Sequence, residues 1–477
     1  MKTMINRSPV QLKRQLGLWS CIALVVGQVI GSGIFIAPKG VLKYSSGSVG
    51  WALLIWIGCG VISTIGALCF AELATIFSKS GGDFVYIAEA YNKLLGFLRV
   101  WTFVIAIKPG AFAIISLTMS NYLVAPFISS DCQDVTGKAV ILIAVCALCL
   151  VIFVNCISVQ WASRIQIIFT VIKVLGLLFI ICIGMVRLAQ GHTANFAKAF
   201  DSIDDMDLTK VPLAFYSGLF AYAGWHNLPQ VTEEIENPSR NIPLSIIISM
   251  TIVSVIYTLT NVAYFTGLSS EELLQSNAVA VSFAKPVLGS WTWIIQIIVA
   301  LSCAGALNGG FLTAARVPFA ASRKGLFPDI FAMINIRYRT PIPSLCFIFV
   351  ICVLTLSSND VLSLINYLSF TRWVFLAIVV IIIPFYRWKY PDMKRPFKVP
   401  LLFPILFIIT SLYIVGVSLY SAPVDCGIGL LITLVGVPLY LVGVTWRAPQ
   451  RLESIKRKAT HLLQKTFVAV HQEVKMD

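Results

Sequence analysis

Apolar residues run through this chain in long blocks separated by short polar stretches, and the blocks are longer than any water-soluble core requires. Read for hydropathy, they predict about twelve helical spans: 16–42, 50–77, 96–126, 139–157, 165–189, 211–235, 243–267, 287–320, 344–357, 361–386, 401–421 and 427–447. Two of these blocks are interrupted by small residues at corresponding places, the first at Gly31-Ser32-Gly33 and the sixth around Ala221-Tyr222-Ala223-Gly224. Glycine costs about 1 kcal/mol relative to alanine inside a helix, and backbone in hydrocarbon cannot leave its polar groups unpaired. Unwound backbone at membrane depth therefore belongs where it lines a cavity. A lone Gly-x-Gly reads as helix packing. A matched pair of interrupted spans instead points to a midplane site whose freed amides and carbonyls hold a small zwitterion, as in transporters.

Composition agrees: 58% of residues are hydrophobic and only 12% charged, too few polar side chains to cover a water-facing surface. The net charge of +15 does not point to nucleic acid, because the basic residues fall in alternate loops. Lys2, Arg7, Lys13 and Arg14 precede the first span, Arg323, Lys324, Arg337 and Arg339 follow the eighth, Arg387 to Lys398 follow the tenth, and Arg451 to Lys458 lie in the tail. The intervening loops carry Asp131 and Asp134, Asp201 to Asp207, and Glu271 and Glu272. The positive-inside rule then places both termini in the cytoplasm, which requires an even number of spans. No cleavable signal peptide is visible at the N-terminus. Most of the 12 cysteines sit in apolar spans as small packing residues. Cys132, in the acidic loop after the third span, is on the oxidising side and is a candidate for a bond to another chain, with a free thiol or a Cys132–Cys426 bridge as the alternatives. With four histidines and no H-E-x-x-H, no metal or catalytic constellation indicates an enzyme, and no cofactor is expected.

The runs Val29-Ile30-Gly31-Ser32-Gly33-Ile34-Phe35, Ser78-Lys79-Ser80-Gly81-Gly82, Phe215 to Trp225, Thr232-Glu233-Glu234, Thr260 to Phe265, Arg395-Pro396-Phe397-Lys398-Val399-Pro400 and Cys426-Gly427-Ile428-Gly429 resemble the light chains of heteromeric amino-acid transporters. The resemblance covers nearly the whole chain. It implies an all-α polytopic membrane protein of the amino acid, polyamine and organocation superfamily (LeuT/APC-type), with 12 transmembrane helices of which helices 1 and 6 are unwound. Two inverted five-helix repeats would occupy 16–189 and 211–386, two further helices with their preceding loop 387–447, and cytoplasmic tails 1–15 and 448–477. It also implies sodium-independent exchange across the plasma membrane, and a single-pass type II glycoprotein heavy chain disulfide-linked through the position that Cys132 approximately matches.

An amino acid needs adjacent donors and acceptors, and half-helix N-termini supply donors aimed at an anion. The Ser32 and Gly33 amides are expected to take the carboxylate, and the carbonyls of Val29, Phe220 and Ala223 the ammonium, with Ile30, Gly31 and Gly224 completing the two breaks. Tyr222, Trp225 and His226 read as a gate. Three charges lie inside spans, where each is costly and so functional by default. Lys173 is read as a fixed cation replacing the sodium of ion-coupled relatives, the alternative being a lysine that only bonds helix-end carbonyls. Arg372, in Ser369-Phe370-Thr371-Arg372-Trp373, is similar to the tenth span of cystine- and glutamate-exchanging members and would pair with a second substrate carboxylate. The alternative is a scaffold pair that leaves an apolar pocket for large neutral or aromatic amino acids. Lys108-Pro109 stands where the family commonly has arginine-proline. Glu72 and Glu89 are expected to pair with loop arginines, and Glu233-Glu234 to form part of a cytoplasmic gate. An ion-coupled symporter of the same fold and a non-transporting nutrient receptor are the competing functions.

Overall fold

A computed structural model describes residues 14–77, 79–124, 133–197, 199–200, 210–276, 278–356, 361–421, 423–446 and 450–471. Among them, nine helices are long and apolar enough to cross a membrane: Val49–Ile76, Lys93–Val124, Gly137–Ile157, Val159–Ala189, Pro238–Gly267, Val279–Arg323, Phe370–Lys389, Leu402–Ser421 and Cys426–Thr445. The bent pair Leu18–Val29 and Gly33–Tyr44, at 45° to each other, brings the number to ten if it is one span. Val211–Ala221 and Ile342–Leu356 are apolar but too short to qualify alone. The protein is therefore a multi-pass membrane protein, and its large exposed apolar side chains, such as Leu142, Leu354 and Leu431, are those of a surface in contact with lipid.

Both interruptions are real breaks, and each has a local cause. The first half-helix ends when the Ile30 amide reaches Val26 O (2.8 Å) and the Gly31 amide turns back to Val29 O (2.9 Å). A new helix then starts at Gly33. In the second, Val211–Ala221 stops before Gly224, whose φ of +128° suits glycine alone, and the chain continues as a 3-10 segment, Trp225–Glu234, containing Pro229. The two breaks touch. A β-carbon on Gly33 would lie 2.5 Å from Ala221 Cα, and one on Gly224 would lie 3.0 Å from the carbonyl of Gln28. The glycines thus set both the unwinding and the close approach that brings two irregular backbones together.

Around this crossing, the first half-helix packs on Val159–Ala189, Pro238–Gly267 and Trp293–Ala314, while Lys93–Val124 packs on Trp293–Ala314 and on the helix Gln133–Ile157. Some boundaries differ from the hydropathy reading. The fifth span begins at Val159, not near 165, because Ser158 caps it (Trp161 N to Oγ, 3.3 Å) and its polar first turns are used inside: Thr170 Oγ1 donates to Ala23 O of the broken helix at 3.0 Å. The sixth span is helical only to Ala221. Within the eighth, Val279–Arg323, a helix Val279–Leu288 and a 3-10 turn Gly289–Thr292 precede the helix Trp293–Ala314. The basic tail is structured where it is described: helix Gln450–Phe467 leads into a strand, Ala469–His471, antiparallel to Met333–Asn335.

Candidate functional site

The two breaks enclose a cavity of about 110 Å³. Val29, Gly31, Ser32 and Gly33 line it from the first break and Phe220, Ala223 and Gly224 from the second; Lys108, Phe112, Arg372, His226 and Asn227 are also in its lining. The Gly33–Tyr44 half-helix opens beside this space without a side-chain cap from Ser32, its Phe35 amide taken by Ser32 O (3.1 Å), so a helix N-terminus with its positive dipole end faces the cavity. Of the three carbonyls expected at the ammonium, Val29 O is already engaged twice, by Tyr257 Oη (2.8 Å) and by the Gly31 amide (2.9 Å), and Phe220 O accepts from the Ala223 amide (3.2 Å). Ile30 is fully buried and turned away from the cavity, its carbonyl bonded by Lys173.

Lys173 is saturated. Its ammonium donates to Gly27 O (2.8 Å), Ile30 O (2.6 Å) and Ser302 O (2.9 Å), so three hydrogens meet three carbonyls, two of them freed by the first break. Ser302 Oγ lies 3.4 Å from the Ile30 and Gly31 carbonyls and completes the knot. Lys173 thus bonds helix-end carbonyls of the unwound turn together with one carbonyl of the helix Trp293–Ala314.

Lys108 and Arg372 are partnered differently. A π-helical turn, Phe103–Ile107, precedes Lys108-Pro109 and absorbs the missing proline amide. Lys108 Nζ donates to Asn227 Oδ1 (2.9 Å) and sits over the rings of Phe103 and Phe112 at 5.3 and 5.7 Å. Asn227 in turn donates to Gln28 Oε1 (2.6 Å) and accepts from Gln230 Nε2 (3.1 Å), tying the two broken helices together through amides. Arg372 Nε is buried without a partner, and among the described residues no carboxylate pairs with the guanidinium. A water-sized side chamber, lined by Ser63, Tyr216, Trp225 and Trp373, shares Phe220, Ala223, His226 and Arg372 with the main cavity.

Of the gate candidates, His226 lines both chambers, with Nδ1 buried and unpartnered. Trp225 packs edge-on against Phe70 (5.2 Å between centroids) and Phe407 (6.0 Å). Tyr222 lies outside the cavity, bonded through its hydroxyl to Trp56 O (3.3 Å) and set edge-on to Tyr257 at 4.9 Å. Cys132 lies outside the described residues.

At the end of the bundle where Gln15 and Leu16 donate to Glu234 O (both 2.9 Å), buried charges come in pairs. Glu234 takes a two-pronged contact from Arg316 (2.6 and 2.9 Å), Asp83 pairs with Arg99, and Glu72 with Arg387 (2.6 Å). Glu233 pairs with Arg323 (2.9 Å), whereas Glu89 is met by Lys324 (2.9 Å) and Lys79 (3.3 Å), lysines where arginines are expected. Gln28, Asn227, Gln230 and Tyr257 escape the sequence reading, although the first three stand out as amides inside apolar blocks.

Residues 16–438 match the model of the amino acid permease family. The chain is similar to the cystine/glutamate transporter of Homo sapiens, 46% identical over 472 residues, covering 99% of this chain and 93% of that protein. It is likewise similar to the large neutral amino acids transporter small subunit 2 of Homo sapiens (44% identical; 98% and 87% covered) and to the Asc-type amino acid transporter 1 of Mus musculus (40%; 98% and 86%). Among solved structures, that of MhsT in complex with L-phenylalanine superposes with a TM-score of 0.60 over 90% of this chain and 99% of that one; at 14% identity, the likeness is one of fold.

Proposed function

The chain belongs to the amino acid permease family, and on that premise we propose that it is the transporting light chain of a heteromeric, sodium-independent amino-acid exchanger of the plasma membrane, selecting glutamate and cystine. The observation that carries the anionic reading is Arg372: a buried guanidinium on the wall of the cavity between the two breaks, with no protein carboxylate to compensate it among the described residues. A buried charge without a partner is strongly destabilising, and a substrate with a side-chain carboxylate supplies the partner. In this reading the half-helix amides at Ser32 and Gly33 take the α-carboxylate, the Phe220 and Ala223 carbonyls the α-ammonium, and Arg372, assisted by Lys108, the distal carboxylate. Lys173 supplies the positive charge that sodium supplies in coupled relatives.

Counting the second broken element and Ile342–Leu356 with the ten gives twelve spans, arranged as five, five and two, with both termini cytoplasmic. Alternating access then means rocking of the helices that carry the breaks against the third, fourth, eighth and ninth spans, with the Glu234–Arg316 layer as the cytoplasmic closure. The heavy chain is a single-pass glycoprotein joined through Cys132.

Uptake into cells co-expressing a heavy chain tests the proposal. Labelled glutamate should enter at the same rate in sodium and in choline, be displaced by cystine more strongly than by leucine or phenylalanine, and leave preloaded cells only when external amino acid is present. Dominance of the neutral amino acids would assign the cavity to them instead. A nonreducing gel should show a disulfide-linked complex that is absent in Cys132→Ser.

A further inference from the structure

The C-terminal helix Gln450–Phe467 is held at both ends close to a membrane-crossing helix. Its start lies four residues beyond Trp446, where the last span stops, a reach of at most about 14 Å. Its end is pinned by the strand that follows it: Ala469 to His471 pair with Asn335 to Met333, Asn335 Nδ2 donates to Phe467 O (2.8 Å), and the Ile336 amide donates to Val468 O (3.0 Å). Six residues after Ile336 begins the apolar helix Ile342–Leu356, one of the twelve spans proposed above. A small cluster of Ile330, Met333 and Ala469, with Phe331 and Phe467 against it, secures this corner.

The helix uses the wrong face for a protein contact. Thr460, Gln464 and Phe467, the half-buried stripe, face the rest of the chain. At 3.6 residues per turn, Leu462 lies on the opposite side, 67% exposed, flanked by the exposed Lys458, Ala459 and Lys465, with Leu463 also open at 37%. In the sequence, Leu452, Ile455, Ala459 and Leu462 recur at spacings of three, four and three, the period of an amphipathic helix's apolar stripe, and of the four the described Ala459 and Leu462 are exposed. Lysines border it where a helix lying in a bilayer interface carries them.

We propose that this helix lies on the bilayer beside the bundle, with Leu462 and its stripe in the headgroup region and Lys458 and Lys465 on anionic phospholipid. The occupant is a lipid surface and not another protein because the helix is tethered within a few residues of the proposed spans at both ends and its exposed charges among the described residues, Arg457, Lys458 and Lys465, are cationic. The choice of an anionic leaflet rests on the cytoplasmic placement of the termini proposed above.

The test uses the full chain in lipid nanodiscs, where both faces meet the same lipid, so the outcome does not depend on that placement. An environment-sensitive fluorescent amino acid replaces Leu462 or, separately, its exposed neighbour His461, in discs with and without phosphatidylserine. The 462 probe should be shielded from aqueous iodide and quenched by lipids brominated on their chains, the 461 probe should remain open to iodide, and shielding should be stronger with phosphatidylserine. Lys458→Gln and Lys465→Gln should each lower the equilibrium for the shielded state about fivefold. Equal iodide access at both positions, shielding indifferent to phosphatidylserine, or energy transfer between differently labelled copies at position 462 would each overturn the proposal, the last by making a second copy the occupant.

Discussion

The central cavity and the layer of charges near Glu234 treat buried cations in opposite ways. Around Glu234, Arg316 and Arg99 are each met by a carboxylate, and both partners of each pair are almost wholly buried. Around the cavity, Lys108 is held by a neutral amide and two aromatic rings, and Arg372 by no described carboxylate. Burying an ion costs several kcal/mol unless it is compensated. The paired layer meets that cost within the protein, so its geometry is fixed in the absence of any ligand. The cavity leaves it partly unmet, so a ligand of the right charge has something to gain there. On the function proposed above, structure-holding charge and ligand-reading charge are distinguished by whether the partner lies in the same chain.

Breaking the paired layer should have the largest effect. Glu234→Ala strands Arg316, whose one further acceptor among the described residues is the Leu312 carbonyl (2.6 Å), and should cost about 3–5 kcal/mol of stability. Thermal unfolding of the purified protein should show this as a large drop in midpoint. A near-normal midpoint would mean that the pair holds nothing together.

In the cavity, the same deletion should be felt by substrate and hardly by stability. Arg372→Ala removes the cation itself, so no charge is stranded. Glutamate uptake should fall about tenfold or more, since a charged contact is worth roughly 1.5–3 kcal/mol, while uptake of neutral amino acids should change much less. Equal losses for glutamate and tyrosine at unchanged surface expression would move Arg372 to the scaffold side of the comparison.

The sequence displays these two classes of charge unequally. The breaks are legible because glycine and small residues inside an apolar block have few other reasons to be there, and hydropathy finds the long helices for the same reason. Lys108, Lys173 and Arg372 stand out as charges inside spans. What cannot be read from the chain is pairing: Glu234 and Arg316 are 82 residues apart, Glu72 and Arg387 are 315 apart, and only the fold brings them together. Nor does a pattern of apolar positions reveal that Ile30 turns out of the cavity, that Tyr222 is occupied by Trp56, or that Asn227 bridges Lys108 to Gln28, since each depends on how irregular backbone is rotated. The tail's strand was hidden because its pairing partner lies far back in the chain.

Lys173 sharpens the comparison because it is a third case, a cation saturated by carbonyls alone. Lys173→Met leaves three carbonyls of the unwound turn without their donor, and uptake should fall severalfold while the wild type remains indifferent to replacing sodium by choline. Recovery of part of the lost uptake on adding sodium would show the ion re-entering the place the ammonium held. Unchanged uptake would reduce the lysine to packing.

The smallest effect belongs to Glu89, at the exposed edge of the paired layer. Burial alone pushes its carboxyl pKa up, but Lys324 and Lys79 outweigh that, and the pKa ends below its ordinary value of 4.5. A carboxylate whose pKa is lower in the folded state adds stability that is fully present above the unfolded value and is lost as pH falls through the folded one. Glu89→Gln should therefore lower the unfolding midpoint by a constant amount from neutral pH down to about 4.5, equivalent to at most about 1 kcal/mol for so exposed a pair. Below that pH the two proteins should converge, because the wild-type carboxyl becomes neutral as well. A gap that persists unchanged well below pH 4 would show that Glu89 contributes through packing and hydrogen bonding, not charge, and would remove it from the paired layer.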